Sequence, residues 1–128
     1  MLDLCSLKKA VDALDRSLQV ASSDLDSLSA QFRETLRLQP EHAGALFRLG
    51  FWLMQKNQFT EAAALFEHGL RLQPDFAEAY NNHGVVLFRL GRLPESIAQF
   101  ERAVRLRPDY TEARQNLAMA QAEAAKKK

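Results

Sequence analysis

Three histidines, one cysteine and a scatter of carboxylates are the residues of this 128-residue chain that could carry acid–base, nucleophilic or metal chemistry. A catalytic site needs such groups gathered in one cleft. The intervals separating His42, His68 and His83 match no metal motif such as two histidines four apart on a helix. Cys5 is the sole cysteine, so neither an intrachain disulfide nor a thiolate zinc cluster can form, and a reducing compartment suits the chain. Gly44, Gly50, Gly69, Gly84 and Gly91 are spread out instead of clustered into a phosphate-binding loop. Asp24 with Asp26, and Glu95 with Glu101, read as solvated carboxylates or as complements to a helix dipole. The sequence therefore reads as a non-enzyme, with no metal and no cofactor.

What positions these residues is a period. Pro40, Pro74 and Pro108 recur at a constant interval of thirty-four, and each follows a leucine by two and precedes an acidic residue by one. Such a period marks one supersecondary unit that cannot bury its apolar face alone, so function belongs to a surface that several units build together. With Ala43 and Ala77 as first residues, Leu46, Leu49, Gly50 and Leu53 fall opposite Tyr80, His83, Gly84 and Leu87. Further on, Ala62, Phe66 and Gly69 fall opposite Ser96, Phe100 and Ala103. Apolar positions recurring at i, i+3 and i+7 predict buried helical stripes. Asn57 and Gly91 can take the left-handed conformation that ends a helix, and Pro94 suits the first turn of the next. Asp75 with Glu78, and Asp109 with Glu112, have the spacing of a reciprocal N-terminal cap. Each unit thus reads as helix, tight turn, helix.

The ends are less regular. Leu25, Leu28, Phe32, Leu36 and Pro40 repeat the second-helix pattern, and Val11, Leu14 and Leu18 fit a first helix if one residue is inserted before Asp24. Residues 1–42 are read as a degenerate first repeat, the alternative being a separate helix from about Leu2 to Val20. Downstream, residues 111–128 begin like a first helix and fade into alanine and lysine, as a capping helix does at a solenoid end. In this register His83 occupies a buried leucine column, where desolvation favours its neutral form, and Trp52 is read as core.

The totals narrow the partners. Hydrophobic residues make up 47% and charged residues 26%, enough for one globular core. Seventeen Lys and Arg against sixteen Asp and Glu leave a net charge of +1, no field to draw in nucleic acid or anionic lipid. Lys126, Lys127 and Lys128 read as a solvated helix end. Residues 1–10 carry Asp3, Lys8 and Lys9 and lack a signal-peptide core, and no window reaches the roughly 18 apolar residues of a membrane helix. A cytoplasmic, membrane-free chain is expected, a monomer or a homo-oligomer.

The unit resembles a tetratricopeptide repeat, in which a helix pair carries an aromatic or Leu, a Leu, a Gly, a Tyr or Leu, a small residue, an aromatic, another small residue and a proline. The resemblance covers residues 43–110 most fully and about 24–42 upstream. It implies an all-α, right-handed α–α superhelix, a single domain of about three helix-turn-helix repeats (1–42, 43–76 and 77–110) closed by a capping helix at 111–128. It also implies a concave groove, lined by the first helices, that holds an extended peptide or a partner helix. Carried over by position, the groove lining is Gly44, Phe47, Arg48, Phe51 and Gln55, then Glu78, Asn81, Asn82, Val85 and Arg89, then Glu112, Gln115, Asn116 and Met119.

Asn82 and Asn116 are one full period apart, and asparagine can donate to and accept from one backbone amide of a peptide at once. They resemble the asparagine ladder of O-linked N-acetylglucosamine transferases, with Arg48 departing at the third position. The implied role is a non-catalytic protein-interaction module. Its alternatives are a self-assembling scaffold, joined through an apolar stripe at Leu2, Leu4, Leu7, Val11, Leu14 and Leu18, and a targeting domain of a larger enzyme. The carboxylate clamp of heat-shock co-chaperones is missing. Phe47 and Phe51 stand where its Lys and Asn belong, Glu112 and Asn116 where its Lys and Arg belong, and only Asn82 matches. Without those charge-assisted bonds, no useful binding of an acidic heat-shock C-terminal peptide is expected. Isothermal titration returning micromolar affinity would contradict that.

Overall fold

The computed structural model describes residues 22–127, with side chains from Ser29 onward. Six helices fill this stretch: α1 (Ser22–Leu38), α2 (Ala43–Gln55), α3 (Phe59–Leu72), α4 (Ala77–Arg89), α5 (Leu93–Leu106) and α6 (Thr111–Lys126). No strand occurs among the described residues. The period of the prolines reappears in the helix starts, at 43, 77 and 111 and again at 59 and 93. The expected helix over about 2–20, Cys5 and the N-terminal leucine stripe lie outside the described residues.

The breakers act as their chemistry requires. Asn57 and Gly91 have φ of 62° and 79°, the left-handed turns that separate α2 from α3 and α4 from α5. Pro94 sits in the first turn of α5, where its missing N–H costs no hydrogen bond. The acidic capping boxes do not form. The residues before α4 and α6 are Phe76 and Tyr110, one place beyond the aspartates, and neither side chain caps the helix. In the same column, His42 does cap α2, its Nδ1 accepting from the Ala45 amide at 2.9 Å. The chain puts an aromatic ring at each of these three starts, and at two of them packing displaces capping.

Helices pack most closely with their neighbours in sequence, the pairs α2/α3 and α4/α5 most of all. One contact repeats at their centres. Phe32, Phe66 and Phe100, which keep the same period, are 1%, 0% and 0% exposed. A Cβ built on Gly50 would stand 3.1–3.3 Å from the Phe66 ring, and one on Gly84 only 2.6–3.0 Å from the Phe100 ring. The glycine is a notch, and the phenylalanine of the following helix lies in it. Beside the second notch, the buried Ser96 Oγ donates to the Gly84 carbonyl at 2.7 Å, so its hydroxyl does not go unpaired in the core.

Gly84→Ala should therefore lower stability by up to about 2 kcal/mol, because forcing a buried ring aside costs ~1–3 kcal/mol while the gain in helix propensity returns about 1. Gly50→Ala, whose contacts need only a few tenths of an ångström of give, should come out near neutral. Urea unfolding of both variants checks the order, and equal loss at the two sites would refute it.

Candidate functional site

The first helices α2, α4 and α6 follow one another along one side of the molecule, and α2 with α4 and α4 with α6 also touch directly. Between them lies a groove of about 480 Å³. Its apolar surface comes from Phe47, Phe51 and Met54 of α2, Val85 of α4, and the helix-start rings Phe76 and Tyr110. Phe47 and Phe76 are stacked at 5.1 Å between ring centroids, tilted by 45°. Its polar surface comes from Arg48, Gln55, Glu78, Asn82 and Glu112. Asn82 is half-buried, and its amide makes no hydrogen bond among the described residues.

Of the residues expected in the groove, Phe47, Arg48, Phe51, Asn82 and Val85 line it, together with Gln55, Glu78 and Glu112. The others stand elsewhere. Asn81 is only 1% exposed, beneath the surface between α4 and α6. Its Oδ1 accepts from Asn116 Nδ2 at 3.0 Å, and its own Nδ2 donates to the Tyr110 hydroxyl at 3.4 Å. Asn116 thus spends one donor on its neighbour. The Arg89 guanidinium lies 5.2 Å from the Phe59 ring centroid, drawn over the face of α3's first residue. Gln115 and Met119 are exposed on α6, outside the groove lining, with Met119 48% exposed. Met54, Phe76 and Tyr110 line the groove without having been expected there. Phe76 and Tyr110 share a column with His42, and that regularity was the available signal.

Tyr110 is held above the ordinary phenol range, first by burial and then by the carboxylates of Glu112 and Glu78. Glu78 is also paired with Arg107 at 3.2 Å, an exposed bridge from α4 to the residue that follows α5. Arg107 in turn stacks over Tyr110, at 4.3 Å from the ring centroid. Trp52 is half-buried and does not line the groove; the Lys56 ammonium lies 5.6 Å from its ring centroid.

His83 is buried where the leucine column expects it, and neither ring nitrogen has a hydrogen-bond partner among the described residues. Glu67 Oε1 of α3 approaches Nε2 at 3.7 Å. Burial holds the imidazole below its ordinary range and outweighs Glu67, Gln99 and Glu95, which pull the other way, while Arg92 adds to the lowering. Gln99 is nearby without hydrogen-bonding geometry. Among the described residues no group of three His, Cys, Asp or Glu is placed to hold a metal, and no helix is long and apolar enough to cross a membrane.

Residues 53–111, from the end of α2 to the start of α6, match the tetratricopeptide-repeat family model. The fold is shared with solved structures of that kind. The first tetratricopeptide-repeat domain of Spaghetti (RPAP3), solved with the HSP90 peptide SRMEEVD, has a TM-score of 0.86 at 17% identity, covering 97% of each chain. An O-GlcNAc transferase mutant from Thermobaculum terrenum has a TM-score of 0.83 at 25% identity over 94% of this chain. This chain spans 23% of that transferase's length. YrrB, described as a tetratricopeptide-repeat protein with an unusual peptide-binding site, has a TM-score of 0.79 at 25% identity, covering 90% of this chain and 58% of its own. No curated protein sequence matches. The tetratricopeptide-repeat match covers residues 53–111, and the fold as a whole is an all-α helical repeat.

The buried ring sets a pH dependence. Above about pH 6.5 His83 is neutral in both folded and unfolded chains; below it the unfolded imidazole takes up a proton that the buried one resists. Stability should fall as pH drops from about 6.5 to the lower folded value and level off beneath it. His83→Leu, the residue at the equivalent Leu49 and Leu117 positions, should remove that part of the slope and be at least as stable at pH 7.5. Urea midpoints of the two proteins at pH 7.5 and 5.5 check this, and parallel behaviour would disprove it.

Proposed function

We propose that the chain is a non-catalytic adaptor that holds an extended peptide or a partner helix in the groove between α2, α4 and α6. The observation that carries this reading is the pairing of an aromatic surface with an amide left free above it. Phe51, Phe76 and Val85 offer apolar area to a side chain, and Asn82 offers a donor and an acceptor to the backbone beside it. Two solved structures of the same fold are described as binding peptides, which supports the class of ligand and not its identity.

In this reading Asn116 is the second rung of a short ladder, its orientation fixed by the buried Asn81 beneath it. Residues 43–76 and 77–110 act as two repeat units, 1–42 as a worn one and 111–128 as the closing helix, all in one domain. The near-neutral charge favours protein over nucleic acid as partner, and the solitary cysteine favours a cytoplasmic setting. A second reading, the partner-binding region of a larger enzyme, draws support from the likeness to the transferase over 94% of this chain.

The test is affinity capture from the source cell with the wild-type chain and with Asn82→Ala/Asn116→Ala. Loss of two or three amide hydrogen bonds should weaken a genuine groove partner about tenfold or more, with the circular dichroism unchanged. Asn82→Ala alone, which disturbs no intramolecular bond, should show part of the loss. Full retention of every partner by both variants would defeat the groove reading.

A further inference from the structure

The groove is not electrically uniform, and its two polar columns run in opposite senses. The column that starts with Arg48 in α2 continues as Asn82 and Asn116, one period further at each step. The column that starts with Gly44 in α2 continues as Glu78 in α4 and Glu112 in α6. Negative charge is therefore confined to the α4/α6 end, and the one cation of the lining stands at the α2 end. Glu78 and Glu112 both line the groove, and both act on the half-buried Tyr110 phenol that lies between their helices. Glu78 is partly compensated by Arg107. Glu112 has no ion-pair partner among the described residues. Both glutamates sit in first helical turns, whose dipole offsets part of each charge, but a structural role of that kind leaves a ligand's charge unread.

We propose that the groove selects extended peptides in which a lysine or arginine lies within a few residues of an apolar anchor. The anchor rests on Phe51 and Val85, and the cation meets the wall formed by Glu78 and Glu112. This specificity rests on the groove reading above and adds a ligand chemistry to it. It is opposite in sign to the HSP90 peptide SRMEEVD bound by the Spaghetti domain of the same fold, whose sequence ends in acidic residues flanking valine.

The experiment is selection of a random phage-displayed dodecapeptide library on the intact chain. Titration follows with the best peptide and its Lys/Arg→Glu version, against wild type, Glu112→Lys and two groove-blocking variants, Val85→Arg and Phe51→Ser. The expected result is enrichment of Lys or Arg near an apolar residue and about a tenfold loss on reversing the peptide's charge, since exposed pairs each contribute up to roughly fivefold. Glu112→Lys should reverse the preference, and the difference should shrink toward 1 M salt, where the screening length falls to about 3 Å. A purely dipole-complementing Glu112 would shift the unfolding midpoint and leave peptide preference alone, which would overturn the proposal. Peptides enriched without charge preference, yet lost from both groove variants that remain helical, would overturn the charge proposal and leave the groove standing. Peptides indifferent to both groove variants, or no enrichment at all, would overturn the groove reading and the proposal with it.

Discussion

A phenylalanine ring lying in a glycine notch is the contact on which the architecture depends. Phe66 over Gly50 and Phe100 over Gly84 bring the second helix of each pair against the first with no side chain between ring and backbone. A helix interior pays about 1 kcal/mol for each such glycine, and burying a whole aromatic ring more than offsets it. Because the notch faces the second helix, the other side of each first helix is left for its neighbours of the same kind. The groove is what remains once that choice is made twice in succession.

A second constraint fixes α4 against α6. Asn81 is buried with both ends of its amide occupied, by Asn116 on one side and Tyr110 on the other. A buried amide left half-satisfied would cost more than it gives, so the three residues hold one register between the two helices. Asn82, its immediate neighbour in sequence, points the other way into the groove. Two consecutive asparagines thus divide the work, one holding the wall and the other facing whatever enters.

Most of the fold was legible in the sequence because its punctuation is chemically unambiguous. Asn57, Gly91 and Pro94 each have a backbone preference that few other residues share, and the structure places them where that preference is needed. The helix starts were misread because Asp75 and Asp109 look like caps while Phe76 and Tyr110, one residue later, have greater area to bury. For the groove, column position gave the right helix face but not the direction of each side chain. Arg89 reaches Phe59 and Asn116 reaches Asn81 through contacts across helices, and no spacing within one helix encodes those. Phe47, Phe51, Asn82 and Val85 obeyed the column, whereas Asn81, Arg89 and Asn116 answered to neighbours on other elements.

The uneven distribution of contact along the stack has a mechanical side. Each pair is tightly joined, while successive first helices touch far less than the partners within a pair. Stiffness therefore resides within each pair, and one pair is joined to the next by α3 on α4 and α5 on α6, with lighter contact between the first helices, as leaves of a spring hinged along one line. A small flexure of the stack widens or narrows the space between α2 and α6 without disturbing any ring in its notch. An occupant bridging those helices would act as a strut, damping that flexure along the whole length of the stack.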